Sequence, residues 1–298
     1  MTAIGQASEL LAIREAVQMR LDQLLPVVSE RDLVTAASRE SALAPGERIR
    51  PVLLMLIARD LGCEKPAVLD LACAVEMVHA ASLVLDDLPC MDDASLRRGR
   101  PTLHRQFGED VAILAAIGLL SRAFGVIAAA PGLSDSARVE AVAQLSATVG
   151  LQGLVQGQFQ DLRGGAAARG EDAIARTDEL KTGVLFSATL QLAAIAAEAC
   201  AATRESLAGF ARELGQAFQL LDDLADGSSE RSSEHGKDAH QDVGKSTLVA
   251  LLGVEGVRQR LQAHLRSADD HLACACGQGV ATRRFMRAWF DQQMGVAS

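Results

Sequence analysis

The sequence predicts an all-α fold, one large helical bundle in a single domain over residues 1–298. Hydrophobic residues make up 49% of the chain and aromatics only 3%, with one Trp and no Tyr, so the core must be assembled from Leu, Ala, Val and Ile without the aromatics that strands favour. Apolar residues recur every three to four positions, and no segment alternates convincingly as a half-buried strand would.

The elements follow in order. Leu10, Ile13, Val17, Leu21, Leu24 and Val28 line one face of a first helix, whose end Pro26 disturbs. Similar patterns predict helices near 48–61, 66–88, 104–129, 135–163, 171–199, 204–226, 246–271 and 278–294. Val111–Leu120 and Val184–Ala197 are apolar around most of their circumference and must be surrounded by other helices, which makes the assembly a bundle. The polar breaks, Arg163–Gly170 and Gly227–Gly244, are too short to link two domains, and no fixed period marks a solenoid.

Charge and cysteine usage narrow the class. The 38 acidic and 29 basic residues leave a net charge of -9, which argues against a general nucleic-acid surface. Six Cys, none in a C-x-x-C pair and five in apolar or Ala-rich surroundings, read as reduced core thiols of a cytoplasmic protein. No secretion signal is expected at the N-terminus, and the longest charge-free stretch, Ala141–Gln160, carries five Gln, so no transmembrane segment is expected.

Two acidic clusters stand out. Asp86-Asp87-Leu88-Pro89-Cys90-Met91-Asp92-Asp93 places four carboxylates in eight residues at the end of an apolar helix, where repulsion demands a cation. His79, Ser82 and Asp86 share one helix face, and Pro89 lets Asp92 fold back toward Asp86. In the second cluster, Gln219, Asp222 and Asp226 share a stripe, with Asp223 beside them, before Gly227 stops the helix. Oxygen donors without paired Cys or His suit a hard cation such as Mg²⁺, which takes one or two carboxylates plus waters and substrate phosphates. A phosphate-bearing substrate is implied. Arg97 and Arg98 follow the first cluster and Lys237 and Lys245 the second, while Arg48, Arg50 and Lys181 lie elsewhere; all are cations suited to phosphate oxygens. Solvated helix ends with ordinary surface cations are the plainer alternative, weakened because the pattern occurs twice.

Other motifs fail. Gly244-Lys245-Ser246 ends like a P-loop, but Ala239 stands where its first Gly belongs. Asp222–Gly227 begins like an EF-hand, but Leu224 and Ser233 occupy ligand positions. No G-x-S-x-G elbow exists.

From about Pro45 to Phe290 the chain resembles a trans-isoprenyl diphosphate synthase, of the bacterial carotenoid type that makes geranylgeranyl diphosphate. The resemblance is carried by Asp86-Asp87-x4-Asp92 with Leu96-Arg97-Arg98-Gly99-Arg100-Pro101-Thr102, and by Phe218-Gln219-x2-Asp222-Asp223-x2-Asp226. It implies an isoprenoid synthase fold, roughly ten helices around a central apolar cavity, with both Asp motifs at its mouth and usually a homodimer. It also implies the reaction. An allylic diphosphate held through three Mg²⁺ ions ionises, isopentenyl diphosphate attacks the cation, and the departing diphosphate takes the proton. A dry cavity shields the carbocation, and fixed cations offset the charge of the leaving group.

By the same resemblance, Asp86, Asp92 and Asp222 touch metal most directly, with Asp87, Asp223 and Asp226 as ligands or orienting groups. Arg97, Lys181 and Lys237 match positions holding the allylic diphosphate, and Arg50, His79 and Arg98 those holding isopentenyl diphosphate. Lys181, Thr182 and Gln219 match polar groups beside the allylic cation, and Gln158 and Asp161 a cavity-facing motif. Plainer readings stay open: Thr182 bonding back to its own backbone, Gln158 satisfied by a neighbouring helix, His79 as a core histidine. Glu47 departs from the family's Gly-Lys-Arg-x-Arg-Pro, reversing a charge in the isopentenyl diphosphate site, so weaker affinity or compensation by Arg48 is expected. Small Ala81 and Ser82 below Asp86 imply growth to twenty carbons, and Ala81→Phe is expected to shorten the product. A farnesyl diphosphate synthase differs only in its cavity floor, a terpene cyclase lacks the second motif, and a non-catalytic partner subunit would keep the bundle.

Overall fold

The structure, a computed structural model, describes residues 3–29, 31–164, 171–226, 248–277 and 281–294. The described residues fall into two compact units. One holds those up to Met55 and from Lys65 to Val142; the other holds Leu56–Glu64 and those from Ala143 onward.

The first unit begins with α1 (Ala3–Leu24) and α2 (Leu33–Leu43). The periodicity reading misses α2, which starts where the Asp32 carboxylate accepts from the Thr35 backbone N–H at 2.9 Å. Helix α3 (Ile49–Asp60) runs from this unit into the second. Helix α4 (Ala67–Asp86), buried along most of its length, packs against α1 and α2 and against α6 (Glu109–Ala129). Buried apolar sides drive that packing, and two ion pairs add specificity: Arg20 to Asp70 at 2.6 Å and Arg48 to Glu76.

Between α4 and α6 lie an antiparallel hairpin of two-residue strands, β1 (Leu96–Arg97) and β2 (Arg100–Pro101), and the short α5 (Leu103–Phe107). The expected helix 104–129 is thus broken at Gly108, whose φ of 94° only glycine adopts readily. Helices α4 and α6 are both long and apolar enough to cross a membrane by length and composition, although the most apolar stretch of α4 is 72% buried inside the protein. Helix α7 (Asp135–Val149) begins here and ends in the second unit.

The second unit continues with α8 (Leu154–Gly164), α9 (Glu171–Asp178), a π-helical turn over Glu179–Gly183, α10 (Val184–Ala196), α11 (Ala201–Asp226), α12 (Leu248–Cys276) and α13 (Ala281–Gln293). Helix α11 lies against α10, α12 and the π turn, and His264 of α12 meets Glu213 of α11 at 2.7 Å. The single Trp, Trp289, stacks on Phe218 at 4.5 Å and meets Phe290 edge-on at 4.9 Å. Asp60 holds the start of α13, accepting from the Thr282 N–H at 2.9 Å. The expectation of core thiols is corrected. All six Cys are free, but only Cys73 is buried, while Cys90, Cys200 and Cys274 are exposed in loops or on outer helix faces.

Candidate active site

The first acidic cluster forms at the end of the apolar α4 and the second at the end of the amphipathic α11, so packing of the apolar residues fixes each helix while its last turn stays polar. In the first unit α4 ends at Asp86, and the chain turns back after Pro89 so that the Asp92 N–H donates to the Asp86 carbonyl at 2.9 Å. The doubling-back expected from the proline is present. Asp86 and Asp92 keep partial exposure, whereas Asp87 is 4% exposed and accepts from Arg97 Nε at 3.0 and 3.3 Å. Burial pushes the Asp87 carboxyl above the usual carboxylate range, and Arg97 pulls it back only in part. Of the two roles expected for Asp87, the geometry therefore fits the orienting one: it holds Arg97.

The groups expected to hold isopentenyl diphosphate come together in this unit. His79 is held well below its ordinary 6.5, first by burial and then by the positive charges of Arg50, Arg98, Arg97 and Arg48. Arg98 donates to the Pro45 carbonyl at 2.9 Å, which ties the hairpin to the loop carrying Glu47, and the exposed Glu47 acts electrostatically on Arg98. Arg48, the residue expected to compensate for Glu47, is engaged elsewhere. Its guanidinium is turned inward to Glu76, Gln18 Oε1 (2.9 Å) and the carbonyls of Ala42 (2.9 Å) and Ala44 (2.8 Å). Arg48 has a φ of 54° and Arg98 one of 53°, strained conformations that cluster at functional sites. Ala81 is fully buried, while Ser82 keeps some exposure and donates to the His79 carbonyl at 2.9 Å.

In the second unit a relay joins the π turn to α11. Thr182 donates to Gln219 Oε1 at 3.3 Å, and Gln219 Nε2 donates to Asp223 Oδ1 at 3.0 Å. Thr182 thus bonds across to α11, which decides against the backbone alternative. Lys181 Nζ lies 2.8 Å from Asp161 Oδ2. Asp222 is exposed on α11 and Asp223 buried beside it. Lys237 and the side chain of Asp226 lie outside the described residues. Periodicity misses the π turn that carries Lys181 and Thr182, because a one-residue slip within an apolar run leaves the average spacing nearly unchanged.

Among the described residues no three His, Cys, Asp or Glu side chains converge into a ready metal cage. In each unit the accessible aspartates, Asp86 and Asp92 in the first and Asp222 in the second, offer oxygen donors only, which suits Mg²⁺ bound by one or two carboxylates together with substrate phosphates.

An all-α enzyme with aspartate-rich helix ends set among fixed cations is the class that this geometry defines. The chain matches the polyprenyl synthetase family over residues 31–274 and belongs to it. It is 58% identical over 294 residues to the geranylgeranyl diphosphate synthase of Pantoea ananas, covering 98% of this chain and 95% of that one. Identity to the geranylgeranyl diphosphate synthase of Pseudescherichia vulneris is 54%, over 96% and 92% of the two chains. Among solved structures, the geranyltransferase of Helicobacter pylori, complexed with magnesium and isoprenyl diphosphate, superimposes with a TM-score of 0.85 at 28% identity, covering 97% of this chain and 98% of that one. An FPP/GFPP synthase of Zymomonas mobilis gives 0.84 at 30% identity, over 96% and 99%.

Proposed function

We propose that the protein is a magnesium-dependent geranylgeranyl diphosphate synthase, extending allylic diphosphates with isopentenyl diphosphate to twenty carbons. The observation that carries the reading is the gathering of Arg50, Arg97 and Arg98 around a neutral His79 on the helix that ends in Asp86, a site charged for diphosphate. The near full-length identity to geranylgeranyl diphosphate synthases supports it.

Asp86, Asp92 and Asp222, with Asp223 and Asp226 as further ligands or orienting groups, would hold magnesium, three ions in all, whose charge would offset that of the departing diphosphate. Arg97, Lys181 and Lys237 grip the allylic diphosphate, and Arg50, His79 and Arg98 hold isopentenyl diphosphate. Thr182 and Gln219 present oxygens toward the allylic cation, and Asp223 orients Gln219 through its hydrogen bond. Apolar walls keep water from that cation.

The outer face of α6 exposes Ile113, Leu114 and Ile117, an apolar stripe that a second copy would cover, so the active form is a homodimer. We place the enzyme in the cytoplasm, supplying carotenoid synthesis. The test is incubation of the pure protein with Mg²⁺, labelled isopentenyl diphosphate and each primer of five, ten or fifteen carbons, followed by sizing of the dephosphorylated products. Twenty-carbon product is expected. Arrest at fifteen carbons would assign a farnesyl diphosphate synthase, and no extension of any primer would favour a non-catalytic partner subunit.

A further inference from the structure

We infer that Gly157 and Gly215 are positioning residues for the reaction: by carrying no side chain, they let two helices close on the π turn and fix where Lys181 and Thr182 stand. The inference rests on the role proposed above for those two residues.

The π turn over Glu179–Gly183 closes with the Val184 N–H donating to the Glu179 carbonyl. Such turns are rare and recur at functional sites. A Cβ on Gly157 of α8 would lie 2.6 Å from the Leu180 carbonyl carbon and from the Lys181 nitrogen. On Gly215 of α11 it would lie 2.7 Å from the Gly183 Cα. Real Cβ atoms essentially never come within 3.0 Å of another heavy atom, and here the obstacles are backbone, which no rotamer change can clear. Glycine inside a helix costs stability relative to alanine, so close approach explains its presence at both positions.

The two contacts follow one plan. Four residues after Gly157, on the same face of α8, Asp161 takes the Lys181 ammonium at 2.8 Å. Four residues after Gly215, on the same face of α11, Gln219 takes the Thr182 hydroxyl at 3.3 Å. Each helix thus grips the turn twice, by a bare backbone contact and, one helical turn further on, by a side chain. A methyl group at either glycine moves the π turn away from the side chain that aims it.

Steady-state kinetics of Gly157→Ala and Gly215→Ala test this. Displacing Lys181 is expected to raise the KM for the allylic diphosphate about tenfold or more in Gly157→Ala, and displacing Thr182 to lower kcat about tenfold or more in Gly215→Ala, since misplacement by about 1 Å costs up to ~10²-fold. The KM for isopentenyl diphosphate should stay within about twofold in both, because its ligands lie in the other unit. A folded variant with wild-type constants overturns the inference, as does an equal loss in all three constants. Should a variant fail to fold, amide hydrogen exchange of the unmutated protein decides. Protection of Lys181–Val184 equal to that of α10 upholds the clamp, and exchange as fast as in an exposed loop overturns it. A wild-type protein unable to extend any primer would refute the proposed role of Lys181 and Thr182 instead, while the exchange measurement would still judge the clamp.

Discussion

Asp87 and Arg97 form a fork in which the Arg97 Nε lies 3.0 and 3.3 Å from the two carboxylate oxygens of a nearly buried aspartate. The carboxylate is committed to a guanidinium, and the guanidinium is thereby aimed. Asp86, next in the chain, remains partly exposed. Asp87→Asn should therefore lower stability by about 3 kcal/mol, the usual cost of breaking a buried pair, and raise the KM for the allylic diphosphate. The magnesium concentration for half-maximal rate should hardly move. Asp86→Asn should do the reverse, leaving chemical denaturation unchanged and shifting the magnesium requirement upward. Identical magnesium titrations for the two variants would remove the distinction between them.

Glu47 acts electrostatically on Arg98 of the cluster proposed for isopentenyl diphosphate, while the next residue, Arg48, is turned to Glu76, Gln18 and two carbonyls. A unit charge about 4 Å from a phosphate in a wet site is worth about 1 kcal/mol. Glu47→Lys is accordingly expected to lower the KM for isopentenyl diphosphate at least about fivefold, with the allylic constant unchanged. Initial rates at saturating primer measure this, and an unaltered constant would sink the charge argument.

His79 gives a pH signature. Burial, and then the surrounding arginines, hold it neutral in the folded protein, well below the ordinary 6.5 of the unfolded chain. As pH falls through 6.5 the unfolded state takes up a proton that the folded state refuses, so stability is lost on acidification. The loss runs at up to about 1.4 kcal/mol per pH unit until the folded imidazole titrates. Urea unfolding of the wild type and His79→Gln at pH 7.5 and 5.5 should show a shallower decline in the variant. Parallel declines would mean that His79 is already charged when folded.

Helix type was legible because a 3.6-residue period survives in α11 and α13, while α4 reads as a long apolar run fit only for a helix surrounded by others. Helix α2 escaped because its apolar face is narrow and polar residues such as Arg39 and Glu40 interrupt it, although Asp32 three residues before Thr35 marked its start. The aspartate clusters were legible because their spacing is chemical. What could not be read was commitment: that Arg48 turns inward and Asp87 serves Arg97 depends on partners at positions 76 and 97, brought close only by folding. The π turn was hidden for a related reason, since the glycines that permit it lie on α8 and α11, away from the turn in sequence.

Product length offers the last test, and the structure changes which residue to probe. Ala81 and Ser82 are both small and lie about one turn before Asp86, but Ala81 has no exposed surface at all, whereas Ser82 borders accessible space. Phenylalanine at 81 must displace packed neighbours before it can obstruct anything, at a cost of about 1–3 kcal/mol for overpacking. Phenylalanine at 82 enlarges a side chain that is already partly exposed, giving up the hydroxyl's bond to the His79 carbonyl. Ser82→Phe should thus shift the main product from twenty toward fifteen carbons at nearly wild-type stability, while Ala81→Phe should lower the melting temperature whatever it does to the product. Chromatography of the dephosphorylated alcohols alongside thermal unfolding of both variants separates these outcomes. A Ser82→Phe enzyme with an unaltered product profile would show that the growing chain does not pass this turn of the helix.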